Sequence, residues 1–232
     1  MQVAVGTSGF AYKEWKGSFY PPDLKNADML RFYAERFRAV EINNTFYRMP
    51  TTKVLDGWAS QVPENFTFVL KASQRITHQK RLKDAGEEMG YFTRTAATLG
   101  ARLGPTLVQL PPNLKKDLPR LEGFLASLPD GWRAAFEFRH ASWYEDDVYA
   151  ALRARNQSLC VADTDDAEGQ VVATADWGYL RLRREAYSAA DLAAWAKRVQ
   201  AQTWRDAFVF FKHEDAGAGP ALAAAFRSAC DA

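Results

Sequence analysis

The chain has 232 residues, of which 47% are hydrophobic, so it can bury a full core and is expected to form one domain over residues 1–232. Its 30 Lys and Arg residues nearly balance 28 Asp and Glu residues, so the net charge gives no global argument for a nucleic-acid partner. The two cysteines, Cys160 and Cys230, lack the spacing of a disulfide framework or a zinc site. No apolar run approaches the ~18 residues of a membrane span, and an apolar strand begins directly after Met1. We therefore expect a cytoplasmic protein with neither a signal peptide nor a membrane partner.

Short runs rich in Val, Ile, Leu and Phe alternate with helical stretches along the chain. Strands are predicted at Val3–Thr7, Ala39–Asn43, Phe66–Lys71, Thr106–Leu110, Arg133–Phe138, Ser158–Asp163, Gly178–Arg183 and Ala207–Lys212. Helices are predicted at Asp28–Arg38, Thr51–Gln61, Glu87–Arg102, Leu118–Ser127, Tyr144–Arg155, Ala189–Gln202 and Pro220–Ala229. Ser188, with Asp191 three residues later, predicts the N-cap of the sixth helix.

Continuous apolar strands separated by helices are typical of a parallel sheet that is covered on both faces. Eight of them in a chain of this length predict an α/β fold, a compact (β/α)8 barrel of the TIM type. An open doubly wound sheet is the alternative. Between Asp163 and Gly178 no helical pattern occurs, so we expect an irregular or missing helix there, with Gln170–Thr174 as a candidate extra strand.

The end of the fifth predicted strand is the most informative stretch of the chain. Successive side chains of a strand point to opposite faces, so Glu137 and Arg139 share one face and Phe136 and Phe138 share the other. Catalytic groups of such barrels lie at the carboxyl ends of the strands. A buried charge costs several kcal/mol unless it is paired. The polar strand ends therefore predict either a neutralised network or a functional site at this mouth, and we favour the site.

Five residues at or just past strand ends are the catalytic candidates. Glu137 and Glu41 are predicted to be acid/base or metal-ligand carboxylates, and His78 and His140 proton carriers. A carboxylate pair of this kind also suits glycoside hydrolysis, but the sequence does not give their separation. Lys71 has two interpretations: a nucleophile that forms a Schiff base, or, as we favour, a cation that neutralises Glu41 or Glu137.

The mouth is also predicted to bind a small anionic or phosphorylated ligand, because arginine forks match phosphate and carboxylate geometry. The predicted ligand-binding residues are Arg139, Arg181, Arg183, Asn43, Gln109, Tyr47, Trp15, Trp143 and Lys212. Aromatic and basic side chains in one cleft are also typical of nucleotide or nucleic-acid binding. The alternative for the aromatic residues is that they pack their loops onto the barrel.

The three histidines, His78, His140 and His213, all follow strand ends, and with Asp163 they are candidate ligands of a divalent metal. Hydrogen-bonding roles are the favoured alternative, because neither an HxH nor an HExxH motif is present. No obligatory cofactor is evident from the sequence.

Several segments occur together and in one order over nearly the whole chain. They are Gly6-Thr7-Ser8-Gly9-Phe10, Glu41-Ile42-Asn43-Asn44-Thr45-Phe46-Tyr47-Arg48, Ile76-Thr77-His78, Gln109-Leu110-Pro111-Pro112 and Glu137-Phe138-Arg139-His140 with Ser142-Trp143. In these segments the chain resembles the DUF72 family, also called YecE-like proteins. The resemblance implies a TIM-type barrel with its polar residues at one mouth, and it implies no particular activity.

Three functional hypotheses follow. The first is an enzyme, a hydrolase or lyase, that acts on a phosphate-bearing substrate, with nucleotides and nucleic acids included, by acid–base or metal-assisted chemistry. The second is a non-catalytic module that binds nucleic acid or an anionic metabolite through the same mouth. The third is a scaffold for protein contacts.

Overall fold

In the computed structural model, which describes residues 1–213 and 215–231, eight parallel strands close into a barrel in sequence order. The strands are β1 (Gln2–Ser8), β2 (Ala39–Ile42), β3 (Thr67–Lys71), β4 (Leu103–Gln109), β5 (Ala134–Glu137), β6 (Ser158–Asp163), β7 (Trp177–Leu182) and β8 (Asp206–Phe211). β1 pairs with both β2 and β8, so the sheet has no free edge. The predicted (β/α)8 barrel is confirmed, and the open sheet is excluded.

Seven α-helices surround the barrel in the described part of the chain. They are α1 (Met29–Ala34), α2 (Thr52–Ala59), α3 (Gly86–Ala96), α4 (Leu118–Ser127), α5 (Asp146–Ala154), α6 (Ala189–Gln200) and α7 (Ala218–Asp231). Within the described residues, the connection between β6 and β7 contains no α-helix, as predicted. The extra strand predicted at Gln170–Thr174 does not form. Its last residue instead fixes the segment as a loop, because Thr174 Oγ1 accepts from Leu159 N at 2.7 Å and donates to Gln157 O at 2.8 Å.

Local signals explain where the helices begin and end. Ser188 Oγ accepts from Asp191 N, and the Asp191 carboxylate accepts from Ser188 N, which completes the capping box of α6. α3 is shorter than predicted because a 3₁₀ segment follows it, in which Gly100 has a φ of 56°. This positive φ, which glycine adopts readily, interrupts the segment that the sequence predicts as helical up to Arg102.

The alternation of side chains along the strands divides the core into two layers. Phe136 and Phe138 of the fifth strand segment point outward and pack in the layer between barrel and helices. Ala135 points inward and belongs to a second cluster that fills the barrel. That cluster consists of Ala39, Val69, Leu107, Ala135, Cys160, Trp177, Tyr179, Phe208 and Phe210. The interior is therefore a packed core, and the charged strand ends lie on top of it.

The amino-terminal end of the barrel, which we call the base, carries a partly exposed ion pair. Arg133 Nη1 lies 2.9 Å from Asp206 Oδ2, and both side chains are 34% exposed. The Arg133 guanidinium also lies 4.9 Å from the ring centroid of Trp177 and 5.0 Å from that of Phe208. A cavity of about 770 Å³ opens at this end.

None of the helices in the described residues is both long enough and apolar enough to span a bilayer.

Candidate functional site

Five consecutive strands deliver polar side chains to the carboxyl end of the barrel, which we call the mouth. Ser8, Glu41, Lys71, Gln109 and Glu137 come from β1 to β5, one from each strand, and all are buried. The sheet register aligns Ser8 with Glu41 and Gln109 with Glu137. Strand parity thus predicts correctly that these groups face one another.

Glu41 is fully buried and is held by four donors. Its Oε1 accepts from Ser8 Oγ at 2.7 Å, Arg181 Nη2 at 2.9 Å and Asn43 Nδ2 at 3.1 Å. Its Oε2 accepts from the Tyr179 hydroxyl at 2.6 Å. Burial alone would raise the pKa of Glu41, but the charge of Arg181 and these hydrogen bonds outweigh it and hold the pKa below its usual value.

Glu137 is equally enclosed. Its Oε2 accepts from Arg181 Nη1 at 2.6 Å, and its Oε1 accepts from Gln109 Nε2 at 2.7 Å and from Arg139 Nε at 3.3 Å. Burial favours the protonated acid, yet the charges of Arg181 and Arg139 prevail and lower the pKa of Glu137 from 4.5 to about 2. Both carboxyl groups are therefore ionised at neutral pH.

Arg181 is the centre of this network. Its guanidinium bridges Glu41 and Glu137 and is only 2% exposed. Its Nε is buried and has no hydrogen-bond acceptor among the described residues. The sequence predicts Arg181 as a ligand clamp, whereas in the structure its two Nη atoms are occupied by the carboxylates. We call Glu41, Glu137 and Arg181 the buried triad.

Lys71 lies beside the triad without joining it. Its Nζ donates to Gln109 Oε1 at 2.7 Å and lies 4.2 Å from the ring centroid of Phe46. The expected ion pair with Glu41 or Glu137 is not formed, and both carboxylates pair with Arg181 instead. Burial, followed by the nearby charge of Arg181, lowers the pKa of Lys71 from 10.5 to about 8. Lys71 is thus an amine that titrates close to neutral pH.

A cavity of about 360 Å³ lies above the triad and is called the mouth cavity here. Its lining residues in the described part of the chain are Tyr12, Asn43, Asn44, Phe46, Tyr47, Lys71, Gln109, Arg139, Arg181, Arg183 and Lys212. They include five basic side chains and no carboxylate. Seven of the nine predicted ligand-binding residues are therefore brought together at one cavity.

A second cavity, of about 750 Å³, adjoins the mouth cavity on the side of β5 and β6. Arg139 and Arg183 line both cavities. Glu137 and Cys160 form part of its wall, and the loop that follows β6, from Thr164 to Gln170, forms its rim. Arg139 and Arg183 thus lie between the mouth cavity and the larger second cavity.

The other two predicted ligand-binding residues, Trp15 and Trp143, do not reach the mouth cavity. Trp15 is 1% exposed and packs against neighbouring aromatic rings. Trp143 is fully buried, stacks on Phe138 with ring centroids 4.7 Å apart, and donates from Nε1 to Leu114 O at 2.7 Å. The loop-packing alternative therefore describes these two tryptophans. Tyr47, by contrast, is 72% exposed at the rim.

The three histidines lie apart, and each has a hydrogen-bond partner. His78 Nδ1 lies 2.9 Å from Thr77 Oγ1, His140 Nδ1 lies 2.9 Å from Ser142 Oγ, and His213 Nε2 lies 2.5 Å from Arg184 O. The remaining candidate ligand, Asp163, lies 2.8 Å from Arg184 Nε and accepts from the Tyr187 hydroxyl at 2.8 Å. Over residues 1–213 and 215–231, no three His, Cys, Asp or Glu side chains are grouped as metal ligands would be.

His78 contacts Phe46, a residue that lines the mouth cavity. It lies in a π-helical turn, Arg75–Gln79, and its ring packs edge-on against Phe46 with centroids 4.8 Å apart. Such turns occur frequently at functional sites. Partial burial, with the charges of Lys71 and Arg139, lowers the pKa of His78, so its ring is mainly neutral at pH 7.

Two residues of the site, which the sequence places at a strand end and on an inner face, are outside the predicted catalytic and ligand-binding residues. Tyr179 and Ser8 complete the hydrogen bonds of Glu41. Tyr179 shares its strand face with Arg181, so parity indicates that it points inward but not that it meets Glu41.

Comparisons with known proteins agree with this architecture. A DUF72 family protein of known structure from Thermotoga maritima MSB8 superposes with a TM-score of 0.86, at 29% sequence identity and with all of both chains covered. A DUF72 family protein from Enterococcus faecalis V583 gives a TM-score of 0.81 at 18% identity, over all of this chain and 96% of the other. The second likeness supports the fold alone.

Two curated bacterial proteins are similar in sequence. The UPF0759 protein YecE of Escherichia coli (strain K12) is 33% identical over 141 residues, which are 58% of this chain and 52% of that protein. The UPF0759 protein YunF of Bacillus subtilis (strain 168) is 28% identical over 159 residues, 63% of this chain and 54% of that protein. The chain thus matches about half the length of these relatives.

The family model described as "Protein of unknown function DUF72" matches residues 4–232. The match includes all eight strands that carry the mouth except the first two residues of β1. The chain belongs to the DUF72 family.

Proposed function

We propose that this protein is an enzyme that acts on a small substrate bearing a phosphate or carboxylate group, bound in the mouth cavity. The observation that carries the proposal is the charge of that cavity, which the described residues line with five basic side chains and no carboxylate. Arg139 and Arg183 offer planar forks that match either anion. The position of the cavity, at the carboxyl ends of the strands, is where enzymes of this fold have their active sites.

The buried triad supports the site from below and does not carry the proton chemistry. A general acid or base works best when its pKa lies near the operating pH. The pKa of Glu137 is about 2, and that of Glu41 is also lowered, so neither carboxyl group suits this task. We therefore assign both glutamates to positioning: they fix Arg181, Asn43 and Gln109 in place.

Lys71 is the group we assign to proton transfer. It lines the cavity, and its pKa of about 8 allows both protonation states near neutral pH. His78 is the second candidate, because its pKa is also shifted and its ring contacts the same Phe46. The reaction classes that suit such a site are those of a lyase or a hydrolase working by acid–base catalysis.

Binding of inorganic phosphate tests the anion site directly. We expect phosphate to raise the melting temperature of the protein, because a ligand that binds only the folded state stabilises it. The Arg183→Met variant should bind phosphate about tenfold more weakly in isothermal titration calorimetry, since one charge-assisted contact is lost. Arg38→Met, which alters an arginine lining the cavity at the base, is the matched control and should bind as the wild type does. Equal binding by both variants would place the anion elsewhere.

A non-catalytic module that binds single-stranded nucleic acid is the second candidate, and the exposed rim favours it. Tyr47 and Phe46 form an edge-to-face pair with centroids 5.0 Å apart, next to Lys71. Bases stack on such rings with about 1–3 kcal/mol per base. Fluorescence anisotropy with a labelled oligonucleotide over a salt series checks this candidate. Absence of binding at low salt, where phosphate contacts are strongest, removes it.

A further inference from the structure

We propose that Lys71 is a nucleophile that forms an imine with the carbonyl carbon of a small 2-oxo acid held in the mouth cavity. The proposal rests on the proposed anion site and names the substrate class for it. As the nucleophile, Lys71 gives up the proton-transfer role of the proposed function, which then falls to His78, the second candidate. The neutralising role expected from the sequence is not fulfilled, because Lys71 forms no ion pair with a carboxylate among the described residues.

The contacts of the amine leave one direction open. A lysine nitrogen is tetrahedral, and besides Cε it has three directions available. Gln109 Oε1, at 2.7 Å, takes one of them, and the face of the Phe46 ring, 4.2 Å from the nitrogen, takes a second. In the neutral amine, both N–H groups can be used in these two contacts. The lone pair then takes the third direction. Because Lys71 lines the mouth cavity, a ligand in the cavity can approach the nitrogen from this direction.

The surroundings favour the neutral amine. Burial removes the water that would stabilise a positive charge on Lys71, and the guanidinium groups of Arg181 and Arg139 repel that charge. With a pKa of about 8, about a tenth of the side chains are neutral at pH 7. For an ordinary lysine, whose pKa is about 10.4, the fraction is below about one in a thousand. Desolvated lysines of this kind are the ones that act as nucleophiles.

The carboxylate of a 2-oxo acid suits the arginines of the same cavity. Arg183 has no carboxylate partner among the described residues, and Arg139 makes only a 3.3 Å contact with Glu137. In a 2-oxo acid, the carbonyl carbon is bonded directly to the carboxylate carbon. When the two guanidinium groups bind the carboxylate, the carbonyl carbon therefore lies in the cavity that Lys71 also lines. A volume of about 360 Å³ is at the small end for ligand cavities, which fits an acid of a few carbon atoms.

The step balances without an oxidant or reductant. The neutral amine of Lys71 attacks the carbonyl carbon, a carbon–nitrogen bond forms, and the carbonyl π electrons move to the oxygen, which takes up a proton. The resulting carbinolamine loses this oxygen as water and becomes an imine. One carbonyl oxygen and two amine hydrogens leave together as water.

Reductive trapping tests the proposal on the unmodified protein. The protein is incubated with pyruvate and sodium cyanoborohydride, and intact mass spectrometry with peptide mapping locates the secondary amine that forms. We expect one adduct per chain, on Lys71, at a rate at least tenfold above that of any other lysine. The rate should rise with pH around a midpoint near 8, following the pKa of Lys71. Acetone, a ketone without a carboxylate, should react at least tenfold more slowly.

Two variants make the assignment specific. Lys197 is an exposed lysine of α6 that lines neither the mouth cavity nor the second cavity, so Lys197→Arg should keep the trapping rate. Lys71→Arg should abolish the adduct and retain phosphate binding, because arginine keeps the charge. If Lys71→Arg fails to fold, peptide mapping of the wild type still decides where the adduct lies.

The two measurements distinguish a failure of the imine proposal from a failure of the anion site. Labelling of Lys71 no faster than that of the exposed lysines overturns the imine. If phosphate still binds in that case, the anion site stands and only the nucleophile is lost. If phosphate does not bind and no adduct forms, both proposals fall.

Discussion

The two ends of the barrel differ in where their carboxylate and basic side chains lie. The base has a cavity of about 770 Å³, and the mouth has the mouth cavity of about 360 Å³ beside the second cavity of about 750 Å³. At the base, the carboxylate of Asp206 lines the cavity itself and pairs with Arg133 where water reaches both. At the mouth, Glu41 and Glu137 lie beneath the mouth cavity, and the charged side chains among its described lining residues are all basic. The two ends therefore differ in whether a carboxylate takes part in lining the cavity.

The ion pairs at the two ends also differ in burial: the pair at the base is partly exposed, and the pairs of Arg181 at the mouth are buried. An exposed pair contributes about 0–1 kcal/mol, because water screens it and its side chains lose entropy. A buried pair is costly to form and still more costly to break, since the remaining charge has no water to solvate it. The buried triad should thus make the mouth far more sensitive to substitution than the base.

The largest expected effect comes from removing one cation at each end. Arg181→Met leaves Glu41 and Glu137 without their shared partner and should lower the free energy of unfolding by about 3–5 kcal/mol. Arg133→Met at the base should cost about 1 kcal/mol, for the partly exposed pair and the two ring contacts. Urea denaturation of the two variants gives the comparison. Equal costs at both ends would contradict the difference described above.

Acid should destabilise the mouth through Glu137, by somewhat less than the Arg181→Met substitution does. The folded-state pKa of Glu137, about 2, lies below its ordinary 4.5, so its stabilisation is fully present above about pH 4.5. It is lost as the pH falls from 4.5 towards 2, and it amounts to about 3 kcal/mol. Urea denaturation between pH 6 and pH 2.5 should show a shallower decline for Glu137→Gln than for the wild type. Parallel curves would mean that Glu137 is not held in its ionised form.

The smallest expected difference compares two buried glutamines. Gln109 links Lys71 to Glu137 at the mouth, whereas Gln157 holds backbone groups near the base, including Ala134 N at 2.6 Å and Trp132 O at 2.9 Å. Changing either to Leu should cost about 1–3 kcal/mol, because buried partners lose a hydrogen bond. Only Gln109→Leu should also lower the pKa of Lys71 below about 8, since the ammonium loses its acceptor.

Titration of the Lys71 side-chain nitrogen by NMR measures that second effect. The Gln157→Leu variant is the control and should titrate as the wild type does. A shift of the Lys71 pKa in both variants would mean that loosening of the barrel, and not the lost contact, changes it.

The positions of the strands could be predicted because each is an apolar run that must be covered on both faces. Parity then placed Glu41, Lys71 and Glu137 on the inner face. The partner of each charge could not be predicted in the same way. Arg181 and Glu41 are 140 residues apart, and their contact depends on how the barrel closes.

The loops were predicted least well. Trp15 and Trp143 follow strand ends as Tyr47 does, yet both tryptophans are buried and Tyr47 is exposed. A strand alternates its side chains with a period of two, whereas a loop has no period from which a direction can be derived. Val171 and Val172, with Thr174, have a strand-like composition, but the hydrogen bonds of Thr174 fix them in a loop.

The packed interior of the barrel limits how a molecule can reach and leave the mouth cavity. The inner cluster, in which Tyr179 packs against Phe210 with ring centroids 5.4 Å apart, separates the mouth cavity from the base. A molecule that reaches Lys71 therefore has no route through the barrel, and it must leave on the side from which it came. Arrival and departure both take place at the mouth, so a second molecule cannot enter from the base and displace the first. Under the proposed function, turnover would depend on how quickly the arginines of the mouth cavity release the anion.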